Sequence, residues 1–246
     1  MTGGLVERLG LGSRELIAIV GAGGKSTLVA TLGAEYAASG HTVILTTTTK
    51  MGADQLTEPT CVTTDLGVVE ARLVAGEPLF VVADVEGEKV IGVSPDMVDT
   101  LFVESRADVV VVEADGARRK RFKAPAAHEP VIPSLSTSVV VVAGASALGR
   151  PIREVAHRPE IVAALADVDV LHPLTPAIAA KVLVHPLGGA KNVPEAAALR
   201  YVVTATPDLI DAGRSLAGEI RRLSPGVGVY VWTLDGVDVG LQSFEP

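Results

Sequence analysis

The segment Val20-Gly21-Ala22-Gly23-Gly24-Lys25-Ser26-Thr27 constrains this chain more than any other. It follows an apolar run at 16–20 that reads as a strand. Apolar residues at 28, 29, 32, 36 and 37 come next, and their three- and four-residue spacing reads as a helix over 25–39 that stops at Ser39-Gly40. Strand, glycine turn and helix in that order are the setting of a phosphate-binding loop. Glycines let backbone N–H groups turn toward phosphate oxygens, the helix N-terminus favours negative charge, Lys25 can reach the β and γ phosphates, and Ser26 can ligate magnesium. The form G-x-x-x-x-G-K-[ST] would need glycine at position 19, where Ile19 stands, but the shorter G-x-x-G-K-[ST] fits. The expected nucleotide contacts are therefore Gly21, Ala22, Gly23, Gly24, Lys25, Ser26 and Thr27, with ATP or another nucleoside triphosphate and Mg2+ as ligands. The dinucleotide fingerprint G-x-G-x-x-G fails, because Ser26 stands at its last glycine and no acidic residue follows about 20 residues on.

Two further strand ends carry chemistry. A β-branched strand at 42–47 runs into Thr46-Thr47-Thr48-Thr49-Lys50, where hydroxyls and an ammonium suit phosphate, magnesium or an anionic substrate; a solvated loop is the plainer alternative. The four valines at 109–112, in a strand read over 107–112, lead to Glu113 and Asp115. Two apart in an extended chain, these carboxylates project to the same side, and they are candidates for the magnesium shell and for catalysis beside Lys25. In open parallel sheets ligands bind at the carboxyl ends of the strands, where all three motifs fall.

The rest of the chain alternates strands and helices. A hairpin or added edge strand is read over 79–93, a helix opens at Ser94-Pro95, and a second valine strand covers 137–143. Helices at 159–166, 176–184 and 208–223 and strands at 201–205 and 227–234 complete it. The expected fold class is α/β: a doubly wound, mostly parallel sheet, P-loop NTPase-like, with helices on both faces and one domain over 1–246. Only 3% of residues are aromatic within an apolar content of 48%, so Ala, Val and Leu fill the core, which suits buried parallel strands.

Between the two valine strands lies a proline-punctuated loop at about 116–136, long enough to suggest a substrate loop. Residues 118–123, Arg-Arg-Lys-Arg-Phe-Lys, form either a solvated charge run or an electropositive rim that attracts an anionic second substrate. The net charge of −8 argues against nucleic-acid or anionic-membrane binding, and no apolar run approaches the ~18 residues of a spanning helix. The N-terminal residues do not read as a secretory signal, and Cys61, the single cysteine, fits a reducing cytoplasmic setting. His41, His172 and His185 lack metal-ligand spacing.

The short loop resembles the ATP loop of the amide-forming Mur ligases more than that of the GTPases. Over most of the chain, the motifs VGAGGKST (20–27), TTTTK (46–50), EADGAR (113–118), KAPAAHEPVIP (123–133) and the ALGRPI and HRPE segments around 147–160 resemble the YqeC family. Its members are described as selenium-dependent hydroxylase accessory or selenium cofactor biosynthesis proteins. The resemblance implies a nucleotide-dependent step in maturing a molybdenum hydroxylase cofactor. It also implies Glu113 and Asp115 near magnesium and Lys123, His128 and Glu129 facing a second substrate; Thr48 and Lys50 join that substrate set. Either an NTPase or transferase, or a nucleotide-gated delivery protein for a molybdenum hydroxylase, satisfies this pattern. One departure stands out: where related proteins tend to read Asn-Lys-x-Asp, this chain reads Thr204-Ala205-Thr206-Pro207-Asp208, so strong guanine selectivity is not expected.

Overall fold

The computed structural model describes residues 4–56, 59–233 and 242–243. Eight parallel strands form one sheet: β1 (Glu15–Gly21), β2 (Val43–Thr47), β3 (Thr60–Val62), β4 (Pro78–Val82), β5 (Val109–Glu113), β6 (Ser138–Gly144), β7 (Ala198–Ala205) and β8 (Gly228–Thr233). Their order is β8-β7-β6-β1-β5-β2-β4-β3, with Gln242–Ser243 antiparallel on the β8 edge. Strand β1 is central, and the order reverses around it.

The valine runs are continuous because both faces of the sheet are covered. Leu16, Ala18 and Val20 of β1 pack on one side against Leu101, Leu183 and Leu216 of the helices Pro95–Glu104, Pro176–Val184 and Ile210–Leu223. Ile17 and Ile19 turn the other way, onto Leu28, Leu32 and Tyr36 of the helix Lys25–Ala38. The period of two along β1 thus divides the core into two layers. No helix among the described residues is long and apolar enough to cross a membrane.

Two sequence expectations are corrected, and one strand is added. Residues 79–93 do not form one hairpin: β4 lies inside the main sheet between β2 and β3, and only Asp84–Glu86 and Lys89–Ile91 pair back, in a small sheet with Met51–Gly52. The division falls where burial ends, since Phe80 to Val82 are buried and residues 84–86 are exposed. Strand β3 escaped notice because three residues around one buried cysteine make no readable period. The helix expected from 208 starts at Ile210, after a tighter turn at Pro207–Leu209. Residue 234, read as the end of the last strand, lies outside the described residues.

Candidate phosphate-loop site

The glycine turn leaves the carboxyl end of β1 and enters the helix Lys25–Ala38. Gly21, Gly23 and Gly24 have φ of 95°, 90° and 121°, a region that side chains disfavour. Close approach adds a second requirement: a Cβ on Gly21 would lie 2.2 Å from the Val142 carbonyl oxygen, and one on Gly23 2.6 Å from the Gly144 nitrogen. The turn is pressed against β6, with Ala22 N–H donating to Val142 O at 2.8 Å. Gly24 supplies no side-chain cap to the helix, whose first turn therefore faces the loop with its dipole unmasked by a cap.

Lys25 is buried, and its ammonium lies 3.3 Å from Glu113 Oε1 and 3.3 Å from Asp115 Oδ1. Ser26 Oγ donates to Glu113 Oε2 at 2.8 Å. Burial alone would lower the Lys25 pKa, but the Asp115 and Glu113 charges outweigh it and raise it above the ordinary lysine value. The two carboxylates do point the same way, as their spacing implied. Asp115 is held through its other oxygen: Oδ2 accepts from Gly21 N–H at 2.9 Å and from Lys123 Nζ at 3.0 Å. Oδ1 is buried and has the Lys25 ammonium, at 3.3 Å, as its partner. A buried carboxylate oxygen that only a lysine balances, beside a phosphate loop, fits a site that a bound cation would complete. Among the described residues no cluster of three or more His, Cys, Asp or Glu side chains is present. Magnesium suits such a sparse set, because it is bound through one or two carboxylates with phosphate and water oxygens supplying the rest. Ser26, Glu113 and Asp115 would hold it.

The ion pairing continues inward. Lys123, whose side chain is 1% exposed, donates to Gly116 O at 2.7 Å and to Glu129 Oε2 at 2.9 Å besides its contact with Asp115. Arg158 grips Glu129 with two bonds, Nη1 to Oε2 at 2.7 Å and Nη2 to Oε1 at 2.8 Å. Burial opposes ionisation of Glu129, yet the hydrogen bonds from Lys123 and Arg158 win and bring its pKa to about 2. Burial, then the Arg158 and Lys123 charges, lower the neighbouring His157 to about 4. The chain Lys25–Asp115–Lys123–Glu129–Arg158 alternates in sign from end to end.

Other expected residues lie apart from it. His128 and Thr27 are exposed. Lys50 is also exposed, and its nearest carboxylate is Glu86 at 3.9 Å. The threonines before it brace the backbone: Thr46 Oγ1 donates to Val81 O, Thr47 Oγ1 to Glu113 O and Thr48 Oγ1 to Val131 O. The basic run divides. Lys123 turns in, while Arg119 pairs on the surface with Asp54 and Lys120 donates to Glu154 O. Sequence reasoning did not assign Arg158, which lies 29 residues from Glu129, nor Lys191 and Asn192. Lys191 Nζ binds the carbonyls of Ala126 and Ala127, and Asn192 Nδ2 that of Pro130, so both clamp the loop that carries Glu129. The proline-bounded stretch at 123–133 named the loop, and the HRPE segment contained Arg158, but neither signalled that the two are partners.

Comparison with known proteins follows the same boundaries. The model of the YqeC protein family matches residues 17–160, from β1 to the start of the helix Pro159–Ala166, and so spans every member of the ionic chain. YqeC of Escherichia coli (strain K12) is 34% identical over 200 residues, which cover 78% of this chain and 76% of that protein. The chain belongs to the YqeC family. Among solved structures, chloroplast FtsY from Physcomitrella patens is similar with a TM-score of 0.48 at 16% identity, over 96% of this chain. This YqeC-family chain spans 64% of the FtsY chain.

Proposed function

We propose that this protein binds a nucleoside triphosphate with magnesium at residues 21–27 and uses it in maturing or inserting the cofactor of a molybdenum or selenium hydroxylase. The observation that carries the nucleotide reading is the buried Lys25 ammonium, shared between Glu113 and Asp115 directly behind a glycine loop that opens a helix. Bound phosphate oxygens would compete for the Lys25 ammonium, and Glu113 and Asp115, with Ser26, would hold a magnesium ion that supplies the countercharge. Glu113 and Asp115 would act through the metal and on the transferred phosphoryl group more than on the metal-free affinity for nucleotide. The cofactor role is supported by the family's motifs. An anionic second substrate approaching the strand ends would meet the exposed Lys50, Arg118 and His128 first.

The test is nucleotide turnover by purified protein across a magnesium titration, with Glu113→Gln and Asp115→Asn as controls. Both amide variants are expected to lose most of the turnover. Wild-type rates in both would make the carboxylates structural, and activity seen only with an added client hydroxylase would make the protein a nucleotide-gated delivery factor.

Base selectivity is expected to be weak. At the end of β7, Thr204 is buried and donates its hydroxyl to the Gly23 carbonyl, and Asp208 is exposed beyond Pro207. That strand end braces the loop, and it offers one carboxylate where a guanine reader places an Asn-Lys-x-Asp set. Losing buried polar complements of a base forfeits discrimination, whereas phosphate contacts are common to all nucleotides. Competition of ATP, GTP and CTP against a labelled nucleotide should give similar affinities with a slight ATP preference. A GTP preference of 100-fold, about 2.7 kcal/mol, would overturn this.

A further inference from the structure

Lys123 and Glu129 are spoken for. A lysine ammonium has three donors, and those of Lys123 meet Gly116 O, Asp115 Oδ2 and Glu129 Oε2 at 2.7, 3.0 and 2.9 Å. Glu129 takes the Arg158 fork on both oxygens and the Ala126 N–H on one. Every donor of Lys123 is thus engaged within the protein. What the set does hold is Asp115: Lys123 and the Gly21 N–H together fix Oδ2, which leaves Oδ1 as the oxygen presented to the phosphate loop.

Arg158 ends that chain, and its own backbone is specified for the task. It has φ 60° and ψ 62°, left-handed values uncommon for a residue with a long side chain, between the strand Ala156–His157 and the helix that Pro159 begins. The strand Ala156–His157 pairs in turn with Phe122–Lys123, so the backbones that carry Arg158 and Lys123 are hydrogen-bonded neighbours. A planar guanidinium gripping a carboxylate through two bonds fixes orientation in a way that a point charge does not.

We propose that Arg158 is a positioning residue: through Glu129 and Lys123 it holds Asp115 so that Oδ1 stays aimed at the Lys25 position. This rests on the reading of the loop as a magnesium–nucleotide site. Partners one layer out from a metal ligand typically change metal affinity by about 10- to 100-fold when removed.

The experiment measures the affinity of a fluorescent ATP analogue in excess EDTA and in magnesium, and takes the ratio of the two as the metal coupling. Asp115→Asn is expected to bring the ratio close to one. Arg158→Ala should lower it by about tenfold while shifting the EDTA affinity by less than about threefold. Added guanidinium should restore the ratio in Arg158→Ala and not in Asp115→Asn, and the double variant should be no worse than Asp115→Asn alone. Circular dichroism checks folding, and Arg158→Gln takes the same place if the alanine variant does not fold. A folded Arg158 variant with the wild-type ratio, beside an Asp115→Asn that has lost it, would overturn the positioning role and leave the nucleotide site standing. Wild-type protein that binds no nucleotide would overturn both.

Discussion

The loops after β2 and after β5 both leave the carboxyl end of the sheet and both carry lysines, yet they put them to opposite uses. Lys50 stands 65% exposed near one equally exposed glutamate, while Lys123 is 1% exposed between two carboxylates and a carbonyl. The difference is in the acids. Beyond β5 the chain supplies Asp115 and Glu129 on either side of the lysine, so an ammonium can leave water with its charge compensated; at the end of β2 and just beyond it stand threonines, whose hydroxyls bond to neighbouring carbonyls, and the next acid along the chain, Asp54, pairs with Arg119. A cation enters the interior where its counter-ions already stand.

The sharpest way to break this contrast is Lys123→Met, which leaves Asp115 and Glu129 facing each other's surroundings with a partner gone. Urea unfolding should show a loss of about 3–5 kcal/mol, the usual cost of stranding a buried charge. A loss below about 1 kcal/mol would mean that the chain of ion pairs is ornamental.

The pH dependence follows from the same pairs. His157 has a folded pKa of about 4, below its ordinary 6.5, so the unfolded chain takes up its proton first as pH falls. Its contribution is present above about pH 6.5 and is lost progressively toward pH 4. Glu129, held at about 2, adds a second decline from the ordinary carboxyl range down toward pH 2. Urea midpoints from pH 7 to 4 should fall in the wild type and fall less in His157→Gln; parallel slopes would count against the assignment.

Thr48 links the two loops, since its hydroxyl donates to Val131 O at 2.8 Å. Thr48→Val should cost about 1 kcal/mol in the same measurement, as for one hydrogen bond. Lys50→Met should change stability by less than about 0.5 kcal/mol, because an exposed pair at 3.9 Å gains little. If Lys50→Met cost as much as Lys123→Met, the contrast between the loops would fail.

What could be read in advance was local. Gly21 to Ser26, Glu113 and Asp115 were legible because strand, turn and helix signals flank the first and a valine strand aims the second pair. The placement of β4 inside the sheet was not, since pairing with β2 and β3 is decided by neighbours distant in sequence. The inward turn of Lys123 was hidden within a basic run whose other members stay outside. Arg158 was noticed only as part of a His-Arg-Pro string, for nothing in its spacing points to a carboxylate 29 residues earlier. Charge is visible in a sequence; the counter-ion that decides its burial is a tertiary fact.

The central claim is that the loop ending in Lys25 binds nucleotide phosphates, and calorimetric titration of ATP with magnesium into wild type and Lys25→Ala tests it most directly. The account predicts clear binding by the wild type and a loss of about 1.5–3 kcal/mol, roughly 10- to 100-fold, in the variant, the worth of a hydrogen bond to a charged group. Equal affinity in a folded Lys25→Ala protein would contradict it.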